Sequence, residues 1–281
     1  MKNFINNVLT GMSMGIVVCL IPNALVGEIL KLIIPYVPQL QIILDISVIA
    51  MSLLPLVIGV MTGICFKLTP VQTTSVGLAA FIGGGSYTMV DGVLTLSGIG
   101  IVINIGITAA IAVLFVQFLG KHLKDFTLIA MSALTMFIAG GIGLFTLPYV
   151  RTGSMWVGDV IMYFTSLQPV LMGAIIAVIF SILIISPIST IGVATAIMLS
   201  GIGAGAANLG VCASGVGMCI ACYRANNFGT AIAHIVSAKI QMRNFFMKPT
   251  IALPMILTAA ILGALGGLFE IVGTPYSAGF G

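Results

Sequence analysis

Hydroxyl and amide side chains gather on two segments that each end in glycine. They are residues 69–85, TPVQTTSVGLAAFIGGG, and residues 186–210, SPISTIGVATAIMLSGIGAGAANLG. Hydroxyls at a helix start can accept hydrogen bonds from its free N–H groups, or bond back to a carbonyl one turn earlier. Together with the helix N-terminus, they can also bind an anionic or polyhydroxyl ligand. Both interpretations stay open, and the glycines can equally serve close helix packing.

Polar side chains beside breaks in the apolar segments are further candidates. Asn23 follows a proline, and Glu28 and Lys31 stand three residues apart, where they can pair on one helix face. A charged residue inside a membrane span is costly and suggests function, although a lysine near the interface can reach water. Glu270, late in the last apolar run, is a candidate proton site. The residues predicted to contact a bound ligand are Ser186, Ser189, Thr190, Asn208, Asn226, Thr73, Glu28 and Asn23.

Cysteine and histidine do not form a metal-binding or catalytic pattern. Cys219 and Cys222 have C-x-x-C spacing, but no second pair or suitable histidine completes a zinc site. All five cysteines lie in apolar segments, where small packing residues are expected. We expect His122 at the surface of a basic loop and His234 in helix packing. Without a Walker loop or a Ser-His-Asp arrangement, we expect no catalytic residue, no metal site and no cofactor.

Composition identifies the solvent in which this chain folds. The 281 residues are 60% hydrophobic and 6% charged, and the mean hydropathy is +1.27. A soluble domain carries about 25% charged residues, so this chain cannot cover itself with a water-facing surface. Its apolar runs are long and continuous, whereas membrane strands alternate over segments of about ten residues. We therefore predict an all-α polytopic membrane protein with about 8–10 transmembrane or re-entrant helices.

The apolar runs and the basic residues between them predict an orientation. The runs cover residues 8–37, 41–66, 70–85, 98–119, 126–149, 168–185 and 249–272. Residues 86–97 read as a polar loop and 151–166 as a loop or interfacial segment. With the N-terminus inside, only Arg151 falls clearly outside, which agrees with the positive-inside rule. The basic residues then on the cytoplasmic side are Lys2, Lys67, Lys121, Lys124, Lys239, Arg243 and Lys248.

The two halves of the chain share landmarks in the same order. The paired positions are 54–59 with 168–173, 69–70 with 186–187, 98–103 with 215–220, and 143–149 with 267–276. Matched segments run in the same direction in this layout, so the repeat is parallel, with its axis along the membrane normal. We predict a single transmembrane domain, residues 1–281, with an extra N-terminal helix in 1–40 and repeats at 45–152 and 159–281.

The second half has an ambiguous segment after residue 210. Residues 211–222 are too short to cross a bilayer alone, and residues 223–227, YRANN, match the middle of a span in the first half. One interpretation is a helix broken inside the membrane, where freed backbone groups must be buried in protein or line a cavity. The other is a cytoplasmic loop that follows a re-entrant hairpin over 211–222. Both stay open.

Several strings resemble a known family of membrane proteins. They are GMSMGIVVCLIPNALVGEILK, GGIGLFTLPYV, GTPYSAGFG and the long run from LQPVLMG to GAGAANLG. Over essentially the whole chain they resemble the EIIC-like proteins of the bacterial phosphotransferase system, type 2, in the branch that includes the toxin regulator PfoR. The SPIST and GTPxSAGFG segments are the most specific. Members of this branch typically continue beyond GTPxSAGFG, which implies a second repeat that stops early.

The resemblance implies a dimeric permease component in the bacterial cytoplasmic membrane, with the N-terminus inside as the charges predict. An EIIC protein binds and translocates a sugar, while separate EIIA and EIIB parts carry the phosphoryl group. The chain is then at most the permease part of such a system. We expect it to move a small polar solute, with a sugar as the first candidate, at the interface of the two repeats near the midplane. The alternative is a PfoR-like membrane sensor that binds a solute and controls gene expression without transport.

The expected partners follow from this interpretation. They are the solute, the lipid bilayer and a second copy of the chain, with separate EIIA and EIIB proteins as further candidates. A net charge of +4 is too small to suggest a nucleic-acid partner.

Overall fold

Helices dominate this computed structural model, which describes residues 2–122, 127–274 and 277–279. In those residues, five helices are long and apolar enough to cross a membrane: Asn3–Leu20, Val102–His122, Ala130–Phe164, Gly201–Ala225 and Pro249–Leu268. A bent pair, Pro38–Ser52 with Leu54–Cys65, meets at 52° and would make a sixth span. The shorter apolar helix Pro169–Ile185 is a further candidate. The predicted class, an all-α polytopic membrane protein, is confirmed.

The chain divides into two compact units, Met1–Val150 and Arg151–Gly281. The described helices of the first unit are α1 (Lys2–Pro22), α2 (Glu28–Ile33), α3 (Gln41–Ser52), α4 (Leu54–Cys65), α5 (Pro70–Gly84), α6 (Val102–His122), α7 (Thr127–Thr135) and the start of α8 (Gly141–Phe164). The unit boundary falls inside α8, after Val150. Whether the two units are duplicates stays a prediction.

The break predicted at Pro22-Asn23 is confirmed. Helix α1 ends at Pro22, and a π-helical turn, Asn23–Gly27, leads into α2. Proline cannot donate to the helical hydrogen-bond ladder and its ring crowds the preceding turn, and π-turns commonly absorb such an irregularity.

Local sequence explains the boundaries of α5. Thr69 accepts a hydrogen bond from the Gln72 N–H, and the Gln72 side chain accepts one from the Thr69 N–H, which forms a capping box. Pro70 occupies the first helical position, where its missing N–H costs nothing. In this unit α5 packs against α4 and α6, and α4 packs against α1. Leu54, Ile58, Val76 and Ile105 are fully buried there.

The segment predicted as a polar loop, residues 86–97, is a β-hairpin. Strand β1 (Tyr87–Val90) pairs antiparallel with β2 (Val93–Leu96), with Val90 opposite Val93. Asp91 and Gly92 connect them with φ of 50° and 78°. An Asp-Gly pair with both residues at positive φ forms the tight turn whose twist matches a hairpin.

In the second unit, three long helices pack on one another. The described helices of this unit are the end of α8, α9 (Pro169–Ile185), α10 (Thr190–Ala196), α11 (Gly201–Ala225), α12 (Phe228–Val236), α13 (Met242–Met247) and α14 (Leu253–Leu268). A short 3-10 turn, Ser277–Gly279, follows. Helices α9, α11 and α14 pack pairwise. Ile176, Phe180, Ile185 and Met218 belong to the core of this unit.

Several boundaries differ from the sequence predictions. Residues 186–210 do not form one element, because α10 ends at Ala196 and a new helix begins at Gly201. Residues 211–222 are not a hairpin, since they continue α11, which has 25 residues and is long enough to cross a bilayer. Residues 223–227 are therefore the end of α11 and its connection to α12. The loop alternative for 151–166 is wrong up to Phe164, where α8 ends.

One landmark pair of the predicted repeat lies in different surroundings in the two units. Residues 98–101 precede α6, whereas residues 215–220 lie within α11. Pro275 and Tyr276, part of another landmark, lie outside the described residues.

Candidate solute-binding site

The loop of residues 186–190, called the SPIST loop below, follows α9 directly. Ser186 has an extended backbone, with φ −83° and ψ 170°, as expected for a residue before proline. Its hydroxyl donates to Leu183 O at 2.8 Å and accepts the Ile188 N–H at 3.1 Å. Ser186 is buried, and its hydroxyl closes the turn at the end of α9. This agrees with the interpretation in which these hydroxyls bond to the helix backbone.

The 3-10 turn Ser277–Gly279 joins the SPIST loop to α11. The Thr190 hydroxyl donates to Gly279 O at 2.9 Å, and the Asn208 amide donates to Ser277 O at 2.7 Å. A bridge between Gly201 and Gly273 pairs the start of α11 with the segment before the turn. The two most specific segments of the sequence, SPIST and GTPxSAGFG, therefore meet inside the second unit.

Ser189 and Asn208 are the most accessible polar residues of this cluster. Both are half-buried, whereas Ser186 and Thr190 are buried. The Ser189 hydroxyl accepts the Gly192 N–H at 3.0 Å. A serine hydroxyl also has one proton to donate, and no described residue is shown to accept it. Ser189 can therefore still donate a hydrogen bond to a bound molecule.

Lys239 is a further member of this cluster, and the sequence analysis did not predict this role. Its Nζ donates to Ser186 O at 2.7 Å and Ile188 O at 2.6 Å, and lies 3.5 Å from Leu183 O. Lys239 is only 7% exposed. Arg243 and Lys248, which the sequence analysis groups with it on the predicted cytoplasmic side, are exposed. The available signal was the Ser-Pro helix end, which leaves carbonyls in need of a donor.

The other predicted residues are not brought to this cluster. Asn226 is exposed at the end of α11, and its amide donates to Cys222 Sγ at 3.3 Å. Eighteen helical residues at about 1.5 Å each place it roughly 27 Å along the helix from Asn208. In the first unit, Thr73 is buried and donates to Leu68 O at 3.4 Å, and Asn23 accepts from Ser47 at 2.7 Å. The Glu28 side chain lies outside the described parts of the structure.

His234 is a packing residue, as predicted. It is fully buried, with Nδ1 2.8 Å from Thr230 O and Nε2 2.7 Å from Gln241 Nε2. The amide nitrogen can only donate, so the partners assign Nε2 as the acceptor and place the proton on Nδ1. Among the residues that the structure describes, no cluster of three His, Cys, Asp or Glu side chains could hold a metal ion.

Long apolar helices indicate a lipid surrounding, in which buried polar groups such as those of this cluster must be hydrogen-bonded within the protein. A family model described as "Phosphotransferase system, EIIC" matches residues 6–281, and the chain belongs to this family. It is a multi-pass membrane protein of the type that serves as the permease component of sugar transport. No curated protein and no solved structure matches the chain.

Proposed function

We propose that the chain is a permease that binds a sugar at the SPIST loop, with Ser189 and Asn208 as its direct hydrogen-bonding contacts. The supporting observation is the meeting of this loop, α11 and the Ser277–Gly279 turn in one unit. Sugar hydroxyls both donate and accept hydrogen bonds, as Ser189 and the Asn208 amide do. Ser186 and Thr190 shape the site, because both are buried and their hydroxyls donate to backbone carbonyls.

Flux through reconstituted vesicles tests the transport step. We expect purified protein in liposomes to take up at least one of labelled D-glucose, D-mannitol and N-acetyl-D-glucosamine above the rate of empty vesicles. Binding without flux would instead support the PfoR-like sensor, which holds a solute but does not move it. If none of the three sugars is bound or transported, the proposal is contradicted.

Alanine at Ser189 or Asn208 should weaken binding before it harms folding. Each change removes one hydrogen bond to the sugar, of about 0.5–1.5 kcal/mol, which corresponds to roughly a twofold to twelvefold loss of affinity. The measurement is the Kd of the sugar that binds tightest, together with the yield of folded protein. Ser166→Ala is the matched control, since Ser166 is exposed and bonds only locally, to Tyr163 O. Equal losses of affinity and folded yield would favour a purely structural role.

The basic residues predict the orientation of the chain across the membrane, and thiol labelling tests this prediction. With the N-terminus inside, His122→Cys should react with a membrane-impermeant thiol reagent from the cytoplasmic side, and Gly153→Cys from the outer side. Both positions are exposed, at the end of α6 and on α8. Labelling is done in a background without the five natural cysteines. Reaction of both from one side contradicts the layout.

The assembly follows from the same proposal. We expect a homodimer in the bacterial cytoplasmic membrane, and separate EIIA and EIIB proteins as partners if transport is coupled to phosphorylation. Exposed Arg243 and Lys248 lie on the face predicted to be cytoplasmic and are available to such partners.

A further inference from the structure

Lys239 places a positive charge directly against the backbone of the SPIST loop. A lysine ammonium has three N–H donors and no acceptor. Three carbonyl oxygens face its Nζ, those of Ser186 at 2.7 Å, Ile188 at 2.6 Å and Leu183 at 3.5 Å. Its full donor set is thus directed at the last turn of α9 and at the loop. No described carboxylate forms an ion pair with it.

The end of α9 offsets much of the cost of burying this charge. A buried ammonium without compensation is strongly unfavourable. The last carbonyls of a helix lack partners within the helix and carry its partial negative charge, so a cation bonded to them is favoured. Hydrogen bonds from a charged donor are also roughly twice as strong as neutral ones. The path of residues 186–188 is therefore fixed by the ammonium group.

We propose that Lys239 is the positioning residue of the solute site. Its ammonium group tethers the backbone of residues 186–188, which sets where the Ser189 and Thr190 hydroxyls lie. The functional meaning of this inference rests on the proposed solute site, whereas the tether itself does not. Lys239 does not touch the solute in this proposal and acts through the loop.

The protonation state of Lys239 controls the tether. Burial lowers the pKa of Lys239 from 10.5 to about 7, and the residue lies between the candidate spans Gly201–Ala225 and Pro249–Leu268 rather than within one. The neutral amine has only two N–H groups, and its lone pair would face a carbonyl oxygen. The charged ammonium group therefore holds the loop at pH values below about 7, and the loop is released as the pH rises above this pKa.

Global stability changes with pH in the opposite direction. Because the folded-state pKa of Lys239 lies below its unfolded value of 10.5, the folded state binds fewer protons above about pH 7. Stability from this group therefore rises with pH between about 7 and 10.5. A loss of solute affinity over the lower part of this window would not come from unfolding.

Other titratable groups near Lys239 must be separated from it. Helices α9, α11, α12 and α13 pack against residues 238–241, and α9 carries no titratable side chain. The titratable residues of the other three are His234 on α12, Arg243 on α13, and Cys212, Cys219, Cys222, Tyr223 and Arg224 on α11. Lys239→Arg separates all of these groups from Lys239, because it changes only the side chain at position 239.

Amide hydrogen exchange tests the tether without any sugar. In Lys239→Met, which keeps length and removes charge, we expect exchange of residues 183–192 to be at least about tenfold faster than in the wild-type protein, with α14 unchanged. A tenfold change corresponds to about 1.4 kcal/mol, slightly less than a single hydrogen bond from a charged donor contributes. Lys248→Met is the matched control, because Lys248 is exposed. Unchanged exchange in Lys239→Met overturns the proposal.

The pH profile of binding tests the positioning role, and it also serves if Lys239→Met does not fold. The wild-type affinity for the tightest binder among D-glucose, D-mannitol and N-acetyl-D-glucosamine should fall about tenfold from pH 6 to pH 8, as the charged fraction falls. Lys239→Arg keeps a permanent charge and should give a flat profile. A pH dependence that survives in Lys239→Arg comes from a group other than Lys239 and overturns the proposal.

The two assays distinguish failure of the tether from failure of the solute site. Faster exchange in Lys239→Met, with no binding of the three sugars by the wild type, supports the tether and contradicts the proposed solute site. Sugar binding with a flat wild-type pH profile and unchanged exchange supports the solute site and overturns the role of Lys239.

Discussion

Valine in place of Gly263 is expected to abolish the folded protein. Gly263 on α14 lies against Gly173 on α9, and a Cβ at Gly263 would overlap the Gly173 carbonyl oxygen and the Ala177 methyl group. The reverse holds too, because a Cβ at Gly173 would overlap the Gly263 oxygen. Gly263 and Gly267 form the small-xxx-small spacing that lets membrane helices approach closely. Gly267 makes the same kind of contact with Pro169 O.

The expected cost is large because backbone atoms stand in the way. Overpacking by a side chain costs about 1–3 kcal/mol when neighbours can shift, and here α9 and α14 would have to separate. We expect more than about 3 kcal/mol, a large part of the roughly 5–15 kcal/mol that stabilises a typical protein. The measurement is the yield of monodisperse protein in detergent and its thermal midpoint.

Gly153→Val is the matched control for this change. Gly153 also lies in a helix of the second unit, and no atom stands within 4 Å of where its Cβ would be. Valine is a slightly better helix former than glycine, so this variant should keep its yield. If Gly263→Val behaves like Gly153→Val, the close approach of α9 and α14 is wrong.

Leucine in place of Asn104 should give the second largest loss, in the first unit. Asn104 is fully buried on α6, and its amide donates to Gly83 O at 2.6 Å and Gly143 O at 2.8 Å. Its side-chain oxygen accepts from Thr146 at 2.8 Å. One side chain thus connects α5, α6 and α8. Leucine has nearly the same size but leaves three polar groups without these bonds.

We expect about 2–5 kcal/mol for Asn104→Leu, from three bonds at roughly 0.6–1.7 kcal/mol each in a membrane protein. Thr146→Val removes only one of the three bonds and should cost about 1 kcal/mol. The double variant should cost no more than Asn104→Leu alone, since the Thr146 bond is then already gone. Additive losses would show that the two residues do not interact. Chemical unfolding in detergent micelles measures all three.

Local sequence was sufficient to predict most of the long apolar helices and some of the helix ends. Apolar runs indicated long helices, and Pro22 and the Ser-Pro at 186–187 marked real helix ends. These features depend on neighbours within one or two turns. The family could also be inferred, because SPIST and GTPxSAGFG are short strings with few alternatives, and the matched region covers residues 6–281.

The residues that form the site could not be predicted from local patterns, because their contacts are with residues far away in the sequence. Lys239 stands before Arg243 and Lys248 in the sequence and was grouped with them on the predicted cytoplasmic side, but it is buried and its partners are more than fifty residues earlier. Thr190 and Gly279 are 89 residues apart. The split between α10 and α11 was also missed, because Met198 and Gly201 turn the chain with φ of 50° and 63° inside a run that reads as continuous.

The Ser277–Gly279 turn has a consequence for the order in which this protein is made. Its bonds reach back 89 residues to Thr190 and 69 residues to Asn208. A ribosome adds about 5–20 residues per second, so the SPIST loop exists for several seconds before its last partner does. Lys239 follows Thr190 by 49 residues, so it is present and can hold the loop only in the later part of that interval. A nascent chain therefore completes its polar cluster only after α14, the last described helix of the second unit, has been synthesised.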